Sequence, residues 1–303
     1  MSDTLFSIIV TSYNQREFIR DAVDSALWLR GGNKEIIVVD DGSTDGSQPV
    51  LRAYGDAIRL VALQTNLGKG GARNAVASMA TGDYLVFLDG DDAFLPWALE
   101  VYERIVQVKK PRLILGCKES FTGALSAAWP VDDPHEIQIV EYDDYMRKDR
   151  TFGPSASALV IDRRSFLRVQ GWAEEPRVMG DLDMLFKLGN AGRTVQILSP
   201  PTFLYRVHAG QVTKQVPLFI DTLYKLISKE NMGRYPGGQR RLFERLASFG
   251  GHVAFWMKRA FNAGLYFDAI KLFARAWPMI LAAVALRLWR TIRGRRPVEL
   301  ISM

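Results

Sequence analysis

Cysteine is almost missing from this chain. Cys117 is the only one in 303 residues, so no internal disulfide framework can hold the fold together. A single thiol fits a reducing cytoplasm. Its place in the apolar run Leu113–Cys117 marks it as a packed core thiol rather than a nucleophile. The N-terminus, Met-Ser-Asp-Thr-Leu-Phe, lacks a basic segment followed by an apolar stretch, and no signal peptide is read there. Long apolar runs are lacking too. A strongly apolar uncharged run, Ala276–Leu286, is bracketed by Arg275 and Arg287 and contains Pro278. A spanning helix needs about 20 apolar residues, so no transmembrane segment is expected. A basic amphipathic helix lying on an anionic membrane surface stays open. Gly68–Gly71 is not followed by Gly-Lys-Ser/Thr at phosphate-loop spacing, which excludes a nucleotide triphosphatase. His135 and His252 stand in no partner pattern.

Charge is present but unevenly placed. Residues 217–303 hold 15 Lys/Arg against 5 Asp/Glu, a net of +10, whereas residues 1–216 are net −4. The two regions therefore meet different partners. A basic tail suits nucleic acid, anionic lipid or a phosphate-bearing substrate. It carries no nucleic-acid motif, and its basic residues are spread along amphipathic helices, so nucleic acid is not expected as a partner.

The first 120 residues alternate strand and helix signals. Strands are expected at Ser7–Thr11, Glu35–Val39, Ala57–Leu63, Tyr84–Leu88 and Arg112–Cys117, with helices at Glu17–Leu29, Lys69–Met79 and Pro96–Val108. Continuous apolar strands separated by helices predict an α/β fold, a mostly parallel sheet covered on both faces. Pro130, Pro134 and Pro154 break a less regular stretch, 119–156. Strand signals return at Ser157–Ile161, Arg193–Ile197 and Phe203–Val207, around a helix at Asp181–Gly189. From Pro217 the pattern is wholly helical, which divides the chain into a catalytic domain, 1–215, and a basic helical region, 216–303. Ala260–Pro278 reads as a helical hairpin; its spacing partly resembles one tetratricopeptide unit, and a single unit cannot form a solenoid.

Four strands run into polar loops: Thr11-Ser12-Tyr13-Asn14, Asp40-Asp41-Gly42-Ser43, Asn66 to Asn74, and Asp89-Gly90-Asp91-Asp92. Parallel strands align their C-terminal ends, so these loops converge on one crevice. Three carboxylates at one strand end repel one another unless a cation lies between them, and hard oxygen ligands suit Mg²⁺ or Mn²⁺ shared with a phosphate. The plainer alternative is a solvated acidic turn that caps the next helix. Tyr13 can stack on a base, Asp41 can accept a pyrimidine N–H, and Arg73 can pair with carboxylate or phosphate.

In their order and separations, Ser-Ile-Ile-Val-Thr-Ser-Tyr-Asn, Val-Val-Asp-Asp-Gly-Ser-Thr-Asp-Gly-Ser, Asn-Leu-Gly-Lys-Gly-Gly-Ala-Arg-Asn and Phe-Leu-Asp-Gly-Asp-Asp resemble successive signatures of family 2 glycosyltransferases. The resemblance covers roughly residues 5–215. It implies a GT-A fold, a Rossmann-like nucleotide half and then an acceptor half, with a divalent metal, Mg²⁺ or Mn²⁺. It also implies an inverting transferase that moves sugar from a nucleotide-diphospho-sugar, UDP-linked, to a glycan or lipid-linked acceptor in bacterial surface polysaccharide synthesis. Carried over, Thr11, Tyr13 and Asp41 hold the base and ribose, and Arg73 supports that pocket through Asp41. Asp89 reaches the ribose or a metal-bound water. Asp91, with or without Asp92, ligates the metal. Asp181 aligns with the family's general base, although Gly180 stands where a Glu is usual. Tyr205-Arg206-Val207-His208 resembles the family's Tyr-Arg-x-His segment, with His208 facing the metal or diphosphate and Arg206 nearby. Trp172 borders the acceptor or packs in the core. A rival reading is a catalytically silent GT-A module that binds nucleotide-sugar, but the carboxylates it would have lost are all present. The tail implies a cytoplasmic protein held at the inner membrane face.

Overall fold

The computed structural model describes residues 4–125, 133–175 and 178–303. Pro130 and the first three residues of the N-terminal segment lie outside them. The nucleotide half comprises β1 (Leu5–Ser12), α1 (Ile19–Leu27), β2 (Asn33–Asp40), α2 (Ser47–Arg52), β3 (Arg59–Ala62), α3 (Gly68–Ala77) and β4 (Tyr84–Asp89). After it come β5 (Ala93–Phe94), α4 (Ala98–Lys109), β6 (Leu113–Leu115), β7 (Lys118–Phe121), β8 (Glu136–Tyr142), β9 (Leu159–Asp162) and α5 (Arg163–Arg168). The chain then forms α6 (Gly180–Lys187), β10 (Thr194–Ser199), β11 (Phe203–Arg206), α7 (Val216–Asn231), α8 (Leu242–Asn262), α9 (Tyr266–Arg293) and β12 (Glu299–Ser302).

Nine strands form one sheet in the order β12-β8-β10-β6-β9-β4-β1-β2-β3. The α/β class is as expected, and β4, β1, β2 and β3 are parallel throughout. Parallel pairing does not extend across the whole sheet. β9 lies antiparallel between β4 and β6, and β8 pairs antiparallel with β10 and β12. That reversal has a consequence at the site. β9 enters the sheet at the end where β4 leaves it, so the residues just before β9 stand beside Asp89. In the parallel half, register aligns Thr11 with Asp89 and Ser12 with Asp40. The β-branched interior of β1 and β2 is fully buried, as strands covered on both faces require. A second sheet, β5-β11-β7, stands at the same end and brings the segment after β11 back to the Asp91 loop.

The C-terminal region departs from expectation in two ways. It is not wholly helical: β12 returns to pair with β8 at the edge of the large sheet. In addition, α9 runs through Pro278 for 28 residues instead of ending there. The expectation of no transmembrane segment rested on the short uncharged run 276–286, its flanking arginines and that proline. By length and composition α9 could cross one, with a mean hydropathy of 1.6 over its most apolar window. The helix passes close to α8 at Gly250, where a Cβ would lie 1.9 Å from the Met279 carbonyl oxygen. One apolar core joins this region to the sheet, running from Ile9, Val39 and Phe87 through Leu223 and Phe249 to Leu272 and Met279.

Candidate active site

A cleft of about 2,030 Å³ opens at the C-terminal ends of the parallel strands. Thr11, Tyr13, Asp41, Arg73, Asp89, Asp91, Asp181 and His208 all line it. The first two loops are tied together: Asn14 accepts the Thr44 N–H through Oδ1 at 2.9 Å, and its own N–H donates to Ser43 Oγ at 2.8 Å. Tyr13 is 46% exposed and not packed in the core. Thr11 Oγ1 is buried and has no hydrogen-bond partner among the described residues. Asp41, 1% exposed, accepts the Leu67 N–H at 2.7 Å and so fixes the entry to α3.

Lys69 and Arg73 sit one turn apart on the same face of α3. Both reach Asp89: Lys69 Nζ donates to Oδ2 at 3.1 Å, and Arg73 Nη2 donates to Oδ1. The ion pair of Arg73 is thus with Asp89, where the resemblance had linked it to Asp41. Burial alone would push the Asp89 carboxyl up; Lys69 and Arg73 outweigh it and hold the group at about 2. Trp172 packs in the core, as one of its two expected roles has it. It is buried edge-on against Phe87 beneath the Arg73 guanidinium, and it also borders the cleft.

The acidic turn after β4 depends on glycine. A Cβ at Gly90 would lie 2.5 Å from Gln15 Oε1 and 3.0 Å from the Thr11 carbonyl oxygen. One oxygen from each of Asp89, Asp91 and Asp92 lies within 4.8 Å of the others. Asp91 Oδ2 stands 3.1 Å from His208 Nε2. Asp92 turns inward. Ser157 Oγ donates to it at 2.6 Å and the Arg206 N–H at 3.1 Å. Burial, with Asp91 and Asp89 alongside, pushes its carboxyl well above the usual range. Packed carboxylates with one member forced upward, beside an imidazole, form a donor set that fits Mg²⁺ or Mn²⁺.

Arg206 does not contact the cleft, which corrects its expected place beside the diphosphate. Its Nε donates to the Asp91 carbonyl at 2.9 Å, Nη1 to the Gly123 carbonyl at 2.7 Å, and Nη2 to Asp21 at 2.6 Å. Its plane lies between Phe18 and Phe121. The side chain holds the Asp91 loop in place from behind. Ser157 was not anticipated either; its Oγ also accepts the Asp89 N–H at 3.0 Å. Lys69 stood in plain sight, one turn before Arg73 in a glycine-rich loop.

Asp181 opens α6 on another wall of the cleft. Its Oδ1 accepts the Leu182 N–H at 2.8 Å. Burial pushes its carboxyl above the ordinary value, against the pull of Arg73 and Lys69. Asp183, two residues on, is occupied elsewhere: Tyr235 Oη donates to it at 2.7 Å and Lys229 Nζ at 2.9 Å. At Gly180 a Cβ would meet its nearest atom, on Trp172, only at 3.8 Å, so the missing family Glu leaves open space.

A mixed α/β sheet whose strand-end loops line one large cleft with carboxylates is the GT-A fold. Residues 7–165 match the profile of glycosyl transferase family 2, and the chain belongs to that family. It is 35% identical over 173 residues to a Bacillus subtilis glycosyltransferase named for teichuronic acid biosynthesis, covering 55% of this chain and 65% of that one. It is 41% identical over 90 residues to an Escherichia coli UDP-Glc:α-D-GlcNAc-diphosphoundecaprenol β-1,3-glucosyltransferase, covering 29% of this chain and 36% of that one. Each match spans less than two thirds of the relative's own length. Among solved structures, S. aureus TarS 1-349 in complex with UDP-GlcNAc has the same fold, with a TM-score of 0.69 at 17% identity over 91% of this chain and 81% of that one.

Proposed function

We propose that the protein is an inverting glycosyltransferase that takes a sugar from a UDP-sugar to a hydroxyl of a lipid-linked glycan in surface polysaccharide synthesis. The observation that carries this reading is that Asp181 lines the same cleft as the paired Asp91 and His208. The base and ribose bind at Thr11, Tyr13 and Asp41, where an unpartnered buried hydroxyl, a free ring and a buried carboxylate meet. Asp91 and His208 hold the divalent cation, and Asp92 and Arg206 position them. When bound, the cation offsets charge on the departing diphosphate. Asp181 accepts the proton of the acceptor hydroxyl as that oxygen attacks the anomeric carbon from the face opposite the diphosphate. Asp89 is held ionised by Lys69 and Arg73 and is ready to accept from the ribose. A UDP donor is supported by the UDP-GlcNAc complex of TarS and the UDP-Glc named for the E. coli relative; that relative's name also supports a lipid-diphosphate acceptor.

Calorimetry with UDP tests the donor half. Tyr13→Ala and Asp41→Ala are each expected to weaken binding about tenfold or more, since base stacking is worth about 1–3 kcal/mol and a charged hydrogen bond about as much. Unchanged affinity in both variants would remove the pocket from this role.

The location proposed is the cytoplasmic membrane surface. Ile270, Phe273, Trp277, Leu281, Val284 and Leu288 recur at helical spacing on α9 and are all exposed. Arg275, Arg287 and Arg290 lie along the same helix. An apolar stripe between arginines suits the interface of an anionic bilayer. With α8 alongside and β12 pinning its far end to the sheet, α9 lies along the membrane rather than across it. The full chain is expected to float with anionic vesicles at low salt and to be released as salt rises. Failure to float would end this reading and leave the stripe as a protein contact.

A further inference from the structure

The cleft does not stop at Asp181. It continues past Glu244 and Ser248 to α8 and α9, where Lys148, His252, Arg287 and Arg290 line its far end. Lys148 and His252 come from segments far apart in the chain, and Arg290 Nη2 donates to the Lys148 carbonyl oxygen. Among the described residues, Lys148, Arg287 and Arg290 take part in no ion pair. The nearest carboxylate, Asp149, is engaged by Tyr142 Oη, Arg150 Nη1 and the Arg296 N–H. The neighbouring Glu244 accepts from Arg241. Lys148 Nζ lies over the Tyr145 ring, 4.5 Å from its centroid.

Asp149 and Glu244 also line the cleft, and Asp149 favours the charged form of Arg290, but both carboxylates are already engaged. The cations outnumber the carboxylates left to meet them, and the side chains register it. Burial and the adjacent Arg290 push the Lys148 ammonium down to about 8. Burial and Lys148 push the His252 imidazole down to about 4. A bound dianion would reverse that repulsion. Val284 and Ile280 line the cleft at this point, and Val284 belongs to the exposed apolar stripe of α9. Positive charge in a half-buried recess, opening directly onto an apolar helix face, matches a molecule that is a phosphate ester at one end and a hydrocarbon at the other.

We propose that Lys148, His252, Arg287 and Arg290 form a second phosphate site, separate from the donor site, that seats the diphosphate of a lipid-linked acceptor with its chain along α9. This rests on the acceptor reading above and adds the residues that would recognise it. The sugar attached to that diphosphate then extends along the cleft toward Asp181.

The test uses the full chain with UDP and Mg²⁺ saturating, so that the donor site is filled, and farnesyl diphosphate as the probe in calorimetry. Farnesyl diphosphate is expected to bind at least about tenfold more tightly than farnesol, as two or more charge-assisted hydrogen bonds would give. It should also bind more tightly than inorganic diphosphate, which lacks the chain. Lys148→Gln with Arg290→Gln should remove most of that preference while UDP affinity stays as in the parent. Arg287 is exposed, so Arg287→Gln gives the same reading, in smaller degree, should the double variant misfold. Equal binding of farnesyl diphosphate and farnesol would overturn the site. Inorganic diphosphate binding as tightly as the farnesyl ester would overturn the lipid assignment. Tight, variant-sensitive farnesyl diphosphate binding without transfer to any diphosphate-linked sugar would sustain the site and sink the acceptor reading instead.

Discussion

Asp181→Asn is expected to lower turnover by roughly 10²–10⁴-fold, the usual contribution of a general base, and to leave UDP affinity unchanged. Burial holds the Asp181 carboxyl above its ordinary value in the fold. Two consequences follow from that sign. Only the ionised form can take a proton, so turnover should fall as pH drops through a value higher than that of a solvated Asp. The folded pKa also exceeds the unfolded one, so the charge weakens the fold at every pH above the unfolded value. Removing it should therefore leave Tm unchanged or raise it. A variant that loses activity and stability together would point to a structural role. Near-normal turnover would exclude Asp181 as the base. Asp183 could not take its place, because it is buried outside the cleft lining and its Oδ1 is engaged by Tyr235 and Lys229.

Asp91→Ala should abolish transfer, and excess chelator should do the same to the parent protein. Asp91 is the acidic-turn carboxylate that both lines the cleft and stands 3.1 Å from the His208 imidazole. If Asp91 ligates the cation as proposed, its loss should leave UDP binding unresponsive to Mn²⁺. Asp92→Asn is expected to act differently. Its oxygens accept from Ser157 and from the Arg206 backbone, so the variant should disturb loop position and stability more than metal affinity. Full turnover of the parent in excess chelator would contradict the metal assignment, whatever the variants do.

The parallel half of the sheet was legible because β1, β2 and β4 are largely buried apolar runs that end in polar loops. Nothing local announces β5, β7 and β12. They are two to four residues long, and β7 and β12 are mostly exposed. Their pairing partners lie far along the chain, as β12 against β8 does. Proline misled at 278: it removes one donor from α9, but the close contact with α8 at Gly250 and burial of Leu272, Ala276 and Met279 keep the helix running. The residues lining the donor side of the cleft were readable because strand-end geometry brings them together whatever the rest of the chain does. Arg206 was misread because spacing places a residue near a site but does not say which way a long side chain points. Its guanidinium finds Asp21 and two carbonyl oxygens behind the loop. The cationic recess was beyond sequence reading altogether, since Lys148 and Arg290 meet across 142 positions of chain.

The anomeric configuration of the first-formed product tests the account most directly. A single base on the acceptor wall, with the diphosphate leaving toward Asp91 and His208, requires one displacement and therefore inversion. Proton NMR of sugar released or transferred from an α-linked UDP-sugar, recorded before mutarotation, should show the β anomer first. Initial release of the α anomer would mean two displacements or front-face attack, and Asp181 could not then act as proposed.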